Sequence, residues 1–182
     1  MSDGLRIIPL GGLGEIGKNM MVVEYGEVMV IIDSGLMFPT DEMPGVDYVI
    51  PDISYIEANR NKVKGIILTH CHEDHVGSLP YLLKTVSAPI IGTRLTIGMV
   101  MSRLKDFGLN SEIKSVEIQE RSKIGIGSLS FEFFNVNHSV PGNVGIVIHS
   151  PVGIIVHSGD FKFDHTPVDG KQTDFFTLAS LG

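Results

Sequence analysis

Residues 63–75 read Val-Lys-Gly-Ile-Ile-Leu-Thr-His-Cys-His-Glu-Asp-His. The first half is apolar and β-branched, the pattern of a strand buried on both faces. It runs directly into three histidines and one aspartate within six positions, His70, His72, Asp74 and His75. Packing has no use for such a cluster where a strand gives way to a helix. Neutral imidazoles and carboxylates are ligands for zinc and similar divalent ions. In an extended segment, residues two apart point the same way, so His70 and His72 can grip one metal. Asp74 and His75, at the turn into the helix, can face a second. Cys71 points away by the same alternation and reads as a small buried filler. Glu73 reads as solvent-facing or as a support behind the ligands.

The rest of the chain is organised around this strand. Strands are expected at Leu5–Leu10, Met20–Tyr25 and Val28–Asp33, with Gly26-Glu27 as a hairpin turn. Gly35–Val46, with Pro39, Pro44 and Gly45, reads as a loop, and Pro51–Asn61 as a short helix with Pro51 near its start. After the Val63–Thr69 strand, Val76–Val86 has Leu79, Leu82, Leu83 and Val86 at helical spacing. Pro89–Gly92 is a short strand. A second helix is expected over Thr93–Phe107, with Leu95, Met99, Leu104 and Phe107 on one face and Gly108 as its stop. Further strands are expected at Ile113–Ile118, Ser128–Val136, Val144–His149 and Gly153–His157. The order, hairpin then βαβα then hairpins, predicts an α/β sandwich of two sheets with helices outside.

Composition removes several function classes. At 182 residues the chain is one domain or part of a larger one. It is 43% hydrophobic and 19% charged, too apolar to be disordered as a whole. No apolar run has the roughly 18 residues that a membrane span needs. Asp3, Arg6 and Pro9 interrupt the first ten residues, so no secretory leader is expected. A single cysteine excludes an internal disulfide and a Cys-rich zinc module and fits a reducing cytoplasm. Fourteen Lys+Arg against 21 Asp+Glu give a net charge of -7, which argues against a general basic surface for nucleic acid. It leaves open a nuclease whose acidic charge is neutralised by metals.

Gly12-Leu13-Gly14-Glu15-Ile16-Gly17 matches a dinucleotide-binding string, and with Lys18 a near phosphate loop. Both motifs require a helix to begin at the loop, so that its amides face phosphate. Here the β-like Asn19-Met20-Met21-Val22-Val23 follows, and Asn19 stands where a magnesium-holding Ser or Thr would be. The expectation is a glycine-rich turn between strands; the other reading is that this turn lines an active-site rim. One segment cannot complete two coordination spheres, so further ligands are sought at strand ends, where loops carry chemistry. His138 follows one strand, Asp160 another, and Asp33 ends a third. A bridging Asp160 carboxylate would hold two metals about 3.5–4 Å apart. His149 and His157, isolated in strands, read as structural, and His165 is left undecided.

The His-x-His-x-Asp-His string, with Asp33 before it and His138 and Asp160 after it, resembles the metallo-β-lactamase superfamily. The words Gly11–Met20, Asp33–Pro39 and Gly159–Asp164 are similar to those of the ribonuclease J family in its β-CASP group. The resemblance implies a metallo-β-lactamase αββα sandwich, with residues 1–182 as the N-terminal part of that domain and the β-CASP and C-terminal domains absent. It implies that His70, His72 and His138 bind one zinc, Asp74 and His75 the other, and that Asp160 bridges. Asp33 would orient ligands rather than bind metal. Asp74, His75 and Asp33 are thereby the candidate catalytic residues, and two Zn²⁺, with Mn²⁺ or Mg²⁺ as substitutes, the cofactors.

The implied activity is hydrolysis of RNA phosphodiesters, 5′-to-3′ exonucleolytic and endonucleolytic, by metal-activated hydroxide. The implied protein is cytoplasmic, binds RNA and no membrane, and is a homo-oligomer when full length. One departure is Gly142, where the family commonly has aspartate after the proline; it touches a local hydrogen bond and not the ligand set. The alternatives are another hydrolase of the superfamily, such as a transfer-RNA-processing nuclease or a thioester hydrolase, and an inactive metal-binding fragment. The resemblance implies that only the first sheet and part of the second are encoded here, so an uncovered apolar sheet face is also expected.

Overall fold

The structure, a computed structural model, describes residues 4–109 and 113–182. The Asp3 part of the leader reading therefore lies outside the described residues. Strands β1 (Arg6–Gly11), β2 (Met20–Tyr25) and β3 (Val28–Ile32) form an antiparallel meander. Gly26 adopts φ +58° at the β2–β3 turn, the left-handed conformation a two-residue hairpin needs. A short helix α1 (Ser54–Ala58) and a 3₁₀ turn lead into β4 (Val63–Ile67), which lies parallel to β3. Pro51 does not start α1; Asp52 instead accepts the Ser54 amide at 2.9 Å, and the helix begins after it.

The expected Val76–Val86 helix is two short ones, α2 (Glu73–Val76) and α3 (Leu79–Leu82). Pro80 has no N–H to give Val76, and its ring crowds that carbonyl. The chain breaks at Gly77-Ser78, where the Ser78 amide goes to Ser34 O at 2.9 Å instead. After β5 (Ile90–Thr93), helix α4 (Arg94–Asp106) stops at Gly108, φ +70°, with Leu109 N donating to Leu104 O at 2.9 Å. Its buried stripe is Thr96, Ile97, Val100 and Leu104. Leu95, Met99 and Phe107 are substantially exposed, so of the expected face only Leu104 points inward. Ile97, Val100 and Leu104, three and four apart, form a single row along the helix, and that row meets the sheet.

Strand β6 (Ser115–Ile118) completes the first sheet, in the order β1-β2-β3-β4-β5-β6. The second sheet contains β7 (Lys123–Ile126), β8 (Leu129–Asn135), β9 (Val144–Ser150) and β10 (Gly153–His157), all antiparallel in the order β10-β9-β8-β7. β7 was not anticipated, because Gly125 interrupts its apolar alternation, and Ser128 belongs to the turn rather than to β8. Helix α5 (Phe175–Ser180) was also not anticipated, although Asp174 caps it by accepting the Thr177 amide at 3.0 Å.

Alternation along the central strands sends successive residues to opposite faces. Val30, Ile32, Ile67 and Ile91 meet Phe131, Phe133, Ile146 and Ile148 between the sheets. Val22, Ile31, Ile66 and Leu68 meet the helices Leu79, Leu82, Ile97 and Val100 belong to, on the outer side. Leu178 and Leu181 cover Phe134, Val136 and Val147 on the far face of the second sheet. The result is the expected layering of two sheets between helices. β10 is an edge of the second sheet, with Ile154 and Val156 exposed, as expected of a partly covered apolar face. Among the described residues, no helix is long and apolar enough to cross a membrane.

Candidate metal centre

The chemistry-bearing residues all leave strands at one end of the sandwich. Parallel pairing of β3 with β4 puts Asp33 beside Thr69: Asp33 N donates to Ile67 O at 2.9 Å, and Thr69 N returns a bond to Asp33 Oδ1 at 2.8 Å. Val144 N donates to Thr69 O at 3.1 Å and ties the second sheet to the same point. The loops after β8 and β10 then carry His138 and Asp160 over the histidine string.

Three imidazole nitrogens converge there. His72 Nδ1 lies 3.0 Å from His70 Nε2 and 3.1 Å from His138 Nε2. Four ligands at zinc–nitrogen distances on a tetrahedron are about 3.3 Å apart, close to these separations. Beside them, His75 Nε2 is 3.4 Å from Asp160 Oδ1 and 3.6 Å from Asp74 Oδ2. The other Asp160 oxygen, Oδ2, is 3.9 Å from His138 Nε2. Asp160 thus turns one oxygen toward each set. Among the described residues, two groups of three, His70–His72–His138 and His70–His75–Asp160, are compact enough to hold an ion; they share His70, which can serve only one ion at a time. All six residues expected as ligands therefore come together; Asp74 joins through His75 and falls outside the two compact groups.

Asp33 determines which way the imidazole lone pairs point. The buried Thr69 hydroxyl has one hydrogen and lies 2.8 Å from Asp33 Oδ2, an obligate acceptor when ionised. Its oxygen is then left to accept from His70 Nδ1, 3.0 Å away. That leaves the Nε2 lone pair of His70 facing His72. His75 Nδ1 donates directly to Asp33 Oδ2 at 2.7 Å, which leaves its Nε2 facing Asp74 and Asp160. Asp33 sits at φ +61°, a left-handed conformation costing about 1–2 kcal/mol for a residue with a Cβ. The bonds to Thr69 and His75 offset that cost.

The electrostatics separate the two sets. Burial, and then the neighbouring imidazoles, push His70 down to about 3, and burial lowers His138 as well. Burial also opposes charge on His75, but Asp33 and Asp160 outweigh it and raise the ring to about 10. The His75 hydrogen bond takes Asp160 down to about 2. Asp33 is lowered despite its burial, chiefly by the His75 charge. A proton on His75 does there what a divalent cation would do, balancing the carboxylates, and the neutral imidazoles opposite offer lone pairs. This donor set fits divalent metal.

Four supporting residues had no sequence signal strong enough to single them out. Asn19 reaches Asp74 and His75 from the glycine-rich turn. Thr69 relays Asp33 to His70. Asn143, 1% exposed, donates its side-chain amide to Asp160 O. His157, read as structural, lines a cavity of about 180 Å³ with Asn19, Asp33, His75 and Asp160, and its Nδ1 accepts from Gly159 N at 3.1 Å. Glu73 supports from behind, paired with Arg103 of α4. His149 stays away, near Glu132 at 3.7 Å, and His165 lies in the loop after Asp164.

Comparison with known proteins accords with this geometry. Ribonuclease J of Thermus thermophilus is 44% identical over 99% of this chain, which spans 33% of that protein. Ribonuclease J of Synechocystis is 43% identical over 100% of the chain and 29% of its own length, and ribonuclease J 2 of Staphylococcus saprophyticus 46% over 100% and 32%. The chain thus spans about a third of the curated relatives it matches. Among solved structures, the metallo-beta-lactamase fold protein YhfI from Bacillus subtilis superposes with a TM-score of 0.65 at 15% identity, over 90% of this chain and 66% of that one. A protein from Enterococcus faecalis V583 superposes with a TM-score of 0.68 at 16% identity, over 89% of this chain and 45% of that one. Residues 13–179, from the glycine-rich turn through Asp160 to α5, match the metallo-beta-lactamase superfamily model, and with the fold and the convergent histidines this makes the chain a member of that superfamily.

Proposed function

We propose that the chain is the N-terminal part of the metallo-β-lactamase domain of a ribonuclease J-type enzyme, a hydrolase of RNA phosphodiesters with 5′-to-3′ exonucleolytic and endonucleolytic activity. In this reading the β-CASP and C-terminal domains belong to the portion of the relatives that the chain does not span. The intact protein is cytoplasmic and homo-oligomeric, and its substrate is RNA.

His70, His72 and His138 would hold one divalent ion, Asp74 and His75 a second, with Asp160 between them. Zinc suits the imidazole-rich set, and Mn²⁺ or Mg²⁺ the carboxylate-rich one. When bound, such ions supply activation of water and neutralisation of charge on the phosphate. The side chains prepare that chemistry. Asp33 holds His70 Nε2 and His75 Nε2 turned inward, Asn143 fixes the main chain at Asp160, and His75 would release its Nε2 proton to solvent as a cation takes its place.

The observation that carries the reading is the meeting of His72 Nδ1 with His70 Nε2 and His138 Nε2 at 3.0 and 3.1 Å, next to Asp160. The test is cleavage of 5′-monophosphorylated RNA by the intact protein with Zn²⁺ or Mn²⁺. Release of mononucleotides from the 5′ end is expected, and its loss in Asp74→Ala and His75→Ala. Turnover of a thioester or a β-lactam with no RNA cleavage would overturn it.

A further inference from the structure

We propose that Asn19 is a positioning residue for the Asp74–His75 metal position, its side-chain amide fixing the Asp74 carboxylate before any cation arrives. The proposal rests on the metal-centre reading above and gives the Asn19 contact, and the glycine-rich turn that carries it, a specific task at one of the two metal positions.

The Asn19 side-chain nitrogen lies 3.1 Å from Asp74 O and 3.2 Å from Asp74 Oδ2. An amide nitrogen has two hydrogens, and these two acceptors take both. The result is a ring closed through the Asp74 side chain, which leaves its carboxylate little freedom to rotate. His75 Nε2 is 3.1 Å from the same nitrogen, so the amide also walls the side of the position from which His75 approaches.

Asn19 is itself held at both ends of its peptide: its N–H donates to Asp74 O at 3.0 Å, and its carbonyl accepts from Gly35 N at 2.9 Å. The turn is shaped to seat it. A Cβ on Gly12, at φ +84°, would fall 2.4 Å from Asn19 Oδ1. A Cβ on Gly17, at φ +99°, would fall 3.1 Å from Leu36 O. The glycines that resemble a phosphate loop thus serve a different purpose, letting the turn close onto Leu36 and present one amide to Asp74.

The experiment is Co²⁺ titration of the 182-residue chain, followed by d–d absorption, with Zn²⁺ competition against a chelator, for wild type and Asn19→Ala. Support behind a ligand is typically worth a 10–100-fold change in metal affinity. The variant should bind its first, imidazole-held ion within about twofold of wild type and its second about 10–100-fold more weakly. Retention of the first ion also reports that the variant is folded. A second measurement needs no variant: the Asn19 side-chain amide ¹⁵N resonance of wild type should move with the second equivalent of Zn²⁺ and not with the first. Unchanged affinities at both positions, or equal weakening of both with a lowered melting temperature, would overturn the role of Asn19 and leave the metal centre standing. Wild type that binds no second ion would overturn the two-metal reading, and this proposal with it.

Discussion

Asp33→Asn changes one oxygen to nitrogen and leaves the shape of the side chain intact, which makes it the cleanest test of how the centre is wired. Asparagine can keep its oxygen toward the Thr69 amide, where Oδ1 now accepts at 2.8 Å. Its NH₂ then occupies the place of Oδ2, which now takes the Thr69 hydroxyl at 2.8 Å and His75 Nδ1 at 2.7 Å. Two donors face a donor. Thr69 has an escape, since its hydroxyl also lies 3.1 Å from the retained Oδ1 and can go on accepting from His70 Nδ1. His75 has none: it must accept on Nδ1 and keep its proton on Nε2. The nitrogen facing Asp74 and Asp160 is then held as an N–H, while His70 keeps its lone pair toward His72.

Each hydrogen bond to a charged group contributes about 1.5–3 kcal/mol, partly offset here because a buried charge is removed, so the metal-free chain should lose about 1–3 kcal/mol. Metal affinity should fall about 10–100-fold at the Asp74–His75 position, equivalent to about 1.4–2.7 kcal/mol, and change less at the three-imidazole position. Urea unfolding of the metal-free protein reads the first quantity and Zn²⁺ competition against a chelator the second; ¹⁵N chemical shifts of the imidazoles report the tautomers directly. A variant that binds both ions within twofold of wild type, with His75 still protonated at Nδ1, would refute the wiring through His75.

Two further perturbations act elsewhere in the support. A Cβ added at Gly35 would fall 1.6 Å from Asp74 O and 2.7 Å from Asn19 N, both main-chain atoms, so Gly35→Ala must push α2 away from β3. It should cost about 1–3 kcal/mol in thermal or urea unfolding and weaken the second ion; a fully stable variant with two tight ions would contradict the close approach. Glu24, 1% exposed, is held by the Tyr55 hydroxyl at 2.5 Å, Arg6 at 2.6 Å and Lys62 at 3.2 Å. Burial opposes its charge, but these partners outweigh burial and lower its pKa below the ordinary 4.5. Its contribution is therefore present above pH 4.5 and lost as pH falls through the depressed value in the fold. Glu24→Gln should cost about 1–3 kcal/mol at pH 7 and flatten the acid limb of the stability profile; an unchanged acid limb would contradict the assignment.

The residues that converge at the candidate centre were legible in the sequence and most of their supports were not, for a physical reason. A divalent ion accepts few side chains, so His70, His72, Asp74 and His75 betray themselves by type and spacing at the end of an apolar strand. His138 and Asp160 follow from the same logic at other strand ends. Support demands only a donor or acceptor in the right place, and many residue types can supply one. Asn19 acts on Asp74 across 55 positions, and Asn143 on Asp160 across 17, so no local pattern marks either.

The fold divides similarly. Alternation and apolar runs revealed the central strands, whereas α4 was assigned the wrong face because Leu95 and Met99 are apolar yet exposed. Composition alone cannot rank two apolar stripes on one helix; contact with the sheet through Ile97, Val100 and Leu104 decides it. The break at Gly77-Ser78 was within reach, since Pro80 cannot donate to Val76, and that break matters for the site. It ends α2 one turn after Glu73, so Asp74 and His75 ride on a short element pinned by Ser34 and Asn19 rather than on a long helix positioned by its own packing. The precision of the Asp74–His75 position therefore depends on those two pins, and loosening either should be felt there before it is felt by the three imidazoles opposite.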